Sequence, residues 1–261
     1  MTAPWIRESY VAGGGSAQIA LIALSSVKLP DPLPVSRKQH GMPDEGEGPE
    51  SIAMVAKDRS EDPTWFAEHV LAPFTELIAT DLGPSAAATA LTAEHAYVIE
   101  AQVDDPDDLG HVQAAWALAK CVCEEGAAVV IDVYAARAHL GSEVAALRPE
   151  RTFDVMHEVT LFFEELPEGT LAAWSLGLRK FGRPDLVLLD ITEETATEAA
   201  LLLRDVAATL ADGERLEPGD MVGVPDGRRL TATEFEAEAY PAVAVDGPAL
   251  LLRVAPAATA A

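Results

Sequence analysis

Between residues 96 and 137 the apolar and polar positions fall into a clear rhythm. Ala96-Tyr97-Val98-Ile99-Glu100-Ala101 is a β-rich run. Asp104-Asp105-Pro106-Asp107-Asp108 follows as a helix-start cluster. Leu109, Val112, Ala115, Trp116, Ala119 and Cys123 then recur at helical spacing, and Gly126 stops the helix. Ala127-Ala128-Val129-Val130-Ile131-Asp132-Val133-Tyr134 is nearly all apolar and predicts a second strand. Strand, helix and strand make a βαβ unit, whose crossover is right-handed in nearly all proteins.

The flanking sequence is less regular. Residues 1–15 read as a flexible leader ending in Gly13-Gly14-Gly15, before a strand over 18–24. Residues 29–50 hold Pro30, Pro32, Pro34, Pro43 and Pro49 with Gly41, Gly46 and Gly48. Proline removes backbone donors and glycine costs entropy, so an exposed loop is expected there. A short strand is expected over 51–56. Asp62-Pro63 opens a helix with Trp65, Phe66, His69, Val70, Leu77 and Ile78 on one face, which Pro73 must kink or divide. Beyond it, 153–163 alternates weakly, and further strands are expected over 170–178 and 186–191. Thr192 caps a long amphipathic helix with Leu202, Leu203, Val206 and Leu210 on its apolar face, and Gly213 ends it. The stretch 216–229 reads as turns, including Pro225-Asp226-Gly227, and strands are expected over 221–224 and 249–254. This succession predicts an α+β protein: one domain over 16–255, a mixed sheet, two or three helices mainly on one face, and a tail over 256–261.

Charge adds a second constraint. Formal net charge is −25, from 43 acidic and 18 basic residues. Such a surface repels nucleic-acid phosphates and anionic membranes, and attracts a basic protein partner. No run reaches the roughly 18 apolar residues that span a bilayer, and the start of the chain lacks the pattern of a secretory signal. Five lysines beside thirteen arginines, with abundant alanine, suit a GC-rich bacterial genome. The two cysteines, Cys121 and Cys123, project about 200° apart on a helix, which disfavours a mutual disulfide. A reduced, cytoplasmic protein is the expectation.

Candidate chemistry is sparse. The glycines at 13–15 precede a strand and lack the lysine of a phosphate loop. Cys121-x-Cys123 has no second ligand pair, so neither a metal nor a cofactor is expected. His157-Glu158, read as strand, would point to opposite faces and fail to pair. Trp174-Ser175-Leu176-Gly177 only touches the nucleophile-elbow pattern.

One segment stands apart. Gly177-Leu178-Arg179-Lys180-Phe181-Gly182-Arg183-Pro184-Asp185-Leu186 places three scarce basic residues within five positions, beside turn formers. Arg179, Lys180, Arg183 and Asp185 are the candidate partner- or ligand-binding residues, either as a fold-stabilising turn or as an anion-positioning one. The segment resembles one that recurs in an uncharacterised family of bacterial α+β proteins. Gln113-Ala114-Ala115-Trp116-Ala117-Leu118-Ala119 is similar to the same family. The resemblance spans residues 95–215 and implies a fold and a bacterial setting, with no catalytic residues to carry over. The leading expectation is a non-enzymatic interaction protein, immunity-like or regulatory, directed at a basic partner. The alternative is a small-molecule or peptide-processing enzyme, with the turn at 179–183 positioning an anionic substrate and Asp185, His139 or His157 moving protons.

Overall fold

The computed structural model describes residues 2–44, 50–151, 154–167, 169–223 and 229–254. The protein is α+β, as its patterning predicts, but it builds two sheets rather than one. The chain divides into two compact units, 1–7 with 16–154 and 8–15 with 155–261, where one domain over 16–255 was expected. Phe153, the Pro225-Asp226-Gly227 turn, residues 45–49 of the proline-rich loop and the tail at 256–261 lie outside the described residues.

The first unit holds β1 (Ser16–Ser25), β2 (Ile52–Asp58), β3 (His95–Asp104), β4 (Val129–Asp132) and β5 (Arg137–Leu140), in the order β2-β3-β1-β4-β5. Its helices are α1 (Arg37–His40), α2 (Pro63–Phe66), α3 (Ala72–Leu82), α4 (Pro84–Leu91), α5 (Gly110–Glu124) and α6 (Gly141–Ala145). β1 is antiparallel to both β3 and β4, so these two run parallel with β1 between them. The β3–α5–β4 crossover is therefore the expected βαβ unit, passing over one strand.

Side chains alternate across β1, and each set meets different helices. Ile22 and Leu24 join Val129, Ile131, Phe66, Val70 and Ile78 in one apolar cluster. Ala17, Ile19, Leu21 and Ala23 face the other way, where α5 packs on β1 and β3. Helices thus cover both faces here, not mainly one. Nearly every residue of α5 is buried, because α1 and α6 also pack on it.

Pro73 divides the second helix, but through a π turn rather than a break. Proline has no N–H to give the carbonyl four residues back. The ladder slips to five-residue spacing over Ala67–Leu71, with the Ala72 amide donating to the Ala67 carbonyl.

The second unit holds β6 (Thr160–Glu165), β7 (Leu171–Leu176), β8 (Asp185–Ile191), β9 (Met221–Gly223), β10 (Arg229–Glu234) and β11 (Ala249–Val254), in the order β6-β7-β8-β11-β10-β9. Among the described residues only β8 and β11 pair in parallel. Its helices are α7 (Val155–Glu158) and α8 (Ala196–Ala211). α8 packs on β6, β7 and β8. Trp174, Val187, Leu251, Phe235 and Val243 form the core of the opposite face.

The expected flexible leader is docked instead. In the first unit the Trp5 amide donates to Gln113 Oε1 at 3.0 Å and buried Arg7 donates from Nη1 to the Pro106 carbonyl at 2.8 Å. In the second, the Ser9 and Val11 amides donate to the carbonyls of Asp212 and Gly213. Composition at 1–15 signals looseness, whereas these backbone donors are satisfied by contacts far away in sequence. Among the described residues no helix is long and apolar enough to cross a membrane.

Candidate functional site

The basic turn lies in the second unit. Leu178–Phe181 forms a single 3-10 turn between β7 and β8, closed by Gly182 in the left-handed region at φ 63°. Lys180 is fully buried and donates from Nζ to Glu158 Oε2 at 2.6 Å. Glu158 is itself buried, and its other oxygen lies 2.8 Å from His157 Nδ1. The expectation that His157 and Glu158 cannot pair is therefore wrong. It assumed a strand, whereas residues 155–158 are a helical turn. Burial pushes the Glu158 carboxyl up, but the Lys180 ammonium and the His157 contact hold it below the usual carboxylate range.

Gly177 makes this arrangement possible. Its φ is 120°, and a Cβ there would sit 2.3 Å from the Glu158 carbonyl oxygen. The backbone approach that brings Glu158 over the turn needs glycine.

Arg183 is buried and spends its guanidinium on main-chain carbonyls: Nε on Glu214 at 2.8 Å, Nη2 on Gly213 at 2.7 Å and on Val11 at 3.2 Å. Asp185 Oδ1 accepts from Ser175 Oγ at 3.0 Å and from the Leu178 amide at 3.2 Å, and Ser175 Oγ accepts from the Leu186 amide at 2.9 Å. Ser175 is thus a buried latch between β7 and β8, not an exposed nucleophile. Arg179 is partly exposed, with its guanidinium near Gly247. The structure brings Lys180, Arg183 and Asp185 together as interior groups that fasten the turn. None of the four candidates lines either groove described below.

Burial lifts the Asp185 carboxyl to about 7, against the opposing pull of the Leu178 amide, the Ser175 hydroxyl and Lys180. The folded chain therefore holds this proton more tightly than the unfolded chain, whose carboxyl titrates near 3.8. Stability drawn from the neutral form is complete below that value and is lost as pH rises towards 7. Relative to the parent, Asp185→Asn should gain on the order of 3 kcal/mol between pH 4 and pH 7. Urea unfolding across that range measures it.

Away from the turn, the second unit carries a groove of about 1050 Å³ between α8 and the β8, β9 and β10 strands. Leu188, Ile191, Leu202, Val206, Leu210 and Leu230 supply its apolar lining. Leu201 and Met221, on its two walls, are 46% and 58% exposed. Glu198, Asp205, Glu214, Asp220 and Asp190 border it, against only Arg204 and Arg215. Both arginines are already paired, with Asp205 and Glu217.

Asp190 owes its place to a bulge. β7 advances from Leu171 to Ala173 while β8 runs back from Ile191 to Leu188, so β8 carries one extra residue. Asp190 sits in that bulge at φ 57°, a conformation a non-glycine residue adopts at a cost. Strained residues of this kind cluster where a side chain must be aimed.

The cysteines are inert by the same physics that buries them. Burial, with Glu124 and Glu125 nearby, pushes Cys121 up to about 11; burial and Glu124 push Cys123 up to about 12.

Comparison of the chain with protein-family models, with characterised proteins and with solved structures returns no match.

Proposed function

We propose that the protein acts by binding, as an immunity-like or regulatory bacterial protein whose target is a basic protein, and that the groove beside α8 receives a cationic amphipathic helix of that target. The groove carries this reading: an apolar lining, two exposed apolar side chains on its walls and a border of five carboxylates against two arginines, with Asp205 already paired to Arg204 and Arg215 paired to Glu217 outside that set. Its α8 wall runs from Glu198 to Leu210, roughly 18 Å at the rise of an α-helix. That length suits about a dozen helical residues laid along it, and helix-in-groove recognition uses such a surface. Glu198 and Asp205 are seven residues apart, two turns on the same side of α8, so basic residues at i and i+7 of the target would meet both.

The overall charge of −25 supports the same partner by steering it before contact. Catalysis finds no such support. Of Arg179, Lys180 and Arg183, the groups that would hold an anionic substrate, Lys180 and Arg183 are turned into the interior of the second unit, and Arg179 is partly exposed but lines neither groove.

Titration calorimetry with a synthetic Leu/Lys amphipathic helix of 14 residues tests the proposal. Saturable one-to-one binding in 0.15 M salt is the expected result, with a matched Leu/Glu helix giving none. Equal heats from both peptides, or no saturation by the Leu/Lys helix, would overturn it.

A further inference from the structure

The first unit contains a second groove, of about 530 Å³, on the face of its sheet that α2, the π turn and α3 only partly cover. Its floor is apolar: Ala20 and Ile22 on β1, Val98 on β3 and Val55 on β2. Its walls are aromatic, with Trp65 and Phe74 on the helical side and Tyr134 beyond β4. The volume lies within the range of small-molecule sites.

The charges in this groove have one prevailing sign. Among the described residues Glu68 and Glu100 line it, beside Lys57 and His69. Lys57 is already committed, 3.7 Å from Asp62 and 5.3 Å from the centroid of the Trp65 ring. Among the described residues Glu68 and Glu100 make no ion pair. Glu100 also has room. Its cross-strand neighbours are Ala20 on β1 and Ala53 on β2, so no large side chain stands directly over its carboxylate. Lys57 lies four residues along β2 from Ala53, roughly 13 Å away, too far to neutralise Glu100.

Aromatic faces attract cations through their quadrupoles, and carboxylates do so through charge. An apolar floor gives an alkyl body a surface to rest on, while the exposed Glu100 carboxylate supplies the charge. Trp65 already holds the Lys57 ammonium and stacks with His69 at 5.4 Å, so the aromatic contact for a ligand falls to Phe74 and Tyr134. We infer that the groove of the first unit is a binding site for a small organic ammonium ion with an alkyl-rich body, its charge facing Glu100 and its alkyl groups resting on Val98, Val55 and Ala20. This site is independent of the peptide groove in the second unit, since every residue lining it belongs to the first.

Choline is a suitable probe, and 3,3-dimethylbutan-1-ol is its uncharged isostere. Binding is followed by NMR line shifts on the full-length protein in 0.15 M salt. Choline should saturate one site in the millimolar range, while the alcohol gives no saturable shift. Glu100→Gln should weaken choline at least fivefold. Glu100 is exposed, so the substitution leaves the sheet intact. Glu238→Gln removes the same charge from the second unit and should leave choline binding unchanged. Failure of choline to saturate, an equal response to the alcohol, or equal weakening by Glu238→Gln would overturn the inference.

Discussion

Lys180→Met should cost the second unit about 3–5 kcal/mol of stability, the effect of leaving one member of a buried ion pair alone. The substitution keeps the volume of the side chain and removes its charge. Glu158 is then buried with a neighbour that donates nothing in place of the 2.6 Å bond from Nζ. Two responses are open to it: it takes up a proton, or the α7 turn swings out to hydrate it. Either response consumes folding free energy, because the carboxyl stands ionised in the parent. Glu158→Leu alone should cost a comparable amount, since it removes the carboxylate to which the buried Lys180 ammonium donates. The double replacement should recover most of the loss, because well-packed apolar residues substitute for a buried pair at little net cost. Urea unfolding of the parent, the two single variants and the double variant measures the coupling directly. A loss below about 1 kcal/mol for Lys180→Met would mean that the pair behaves as a hydrated surface bridge.

Leu201→Asp should lower the affinity for the Leu/Lys helix at least about tenfold, a change worth roughly 1.4 kcal/mol. Two physical terms act in the same direction. The groove loses the apolar area of a wall residue that is half exposed in the free protein. The docked peptide must also press its leucines against a carboxylate and strip its water. The sign of the effect is the informative part. A chain of net charge −25 that attracted the peptide by diffuse electrostatics alone would bind as well or better after gaining a negative charge. Leu201 lies on the outer side of α8, so the substitution should leave the fold intact, and circular dichroism checks this.

The sequence made the basic turn conspicuous because lysine and arginine are scarce and glycine and proline frame it. It left the role of the turn open. The pairing of Glu158 with Lys180 is hidden because weak alternation over 153–163 reads as one strand, whereas a helical turn precedes β6. Period-two and period-3.6 patterns are hard to separate over so few residues. β5 is only four residues long, and β10 reads Arg-Leu-Thr-Ala-Thr-Glu, too polar to stand out against turns. α4, Pro-Ser-Ala-Ala-Ala-Thr-Ala-Leu, is helical in propensity but offers no amphipathic stripe.

The long elements were legible for the opposite reason. β1, β3, α5, β8 and α8 each carry enough apolar residues to fix their period. Pairing was not legible. Nothing local tells β1 to insert between β3 and β4, or β11 to return beside β8. Both grooves follow from such long-range pairing. Leu201 in sequence is one more leucine on a helix, and it becomes a wall residue only because β9 and β10 form across from α8.

Hydrogen–deuterium exchange of the full-length protein with and without the Leu/Lys helix, in 0.15 M salt, tests the binding account most directly. Slower exchange should appear along α8 and at β9 and β10, with the strands of the first unit unchanged. Protection spread evenly over the acidic surface, or confined to the first unit, would contradict it.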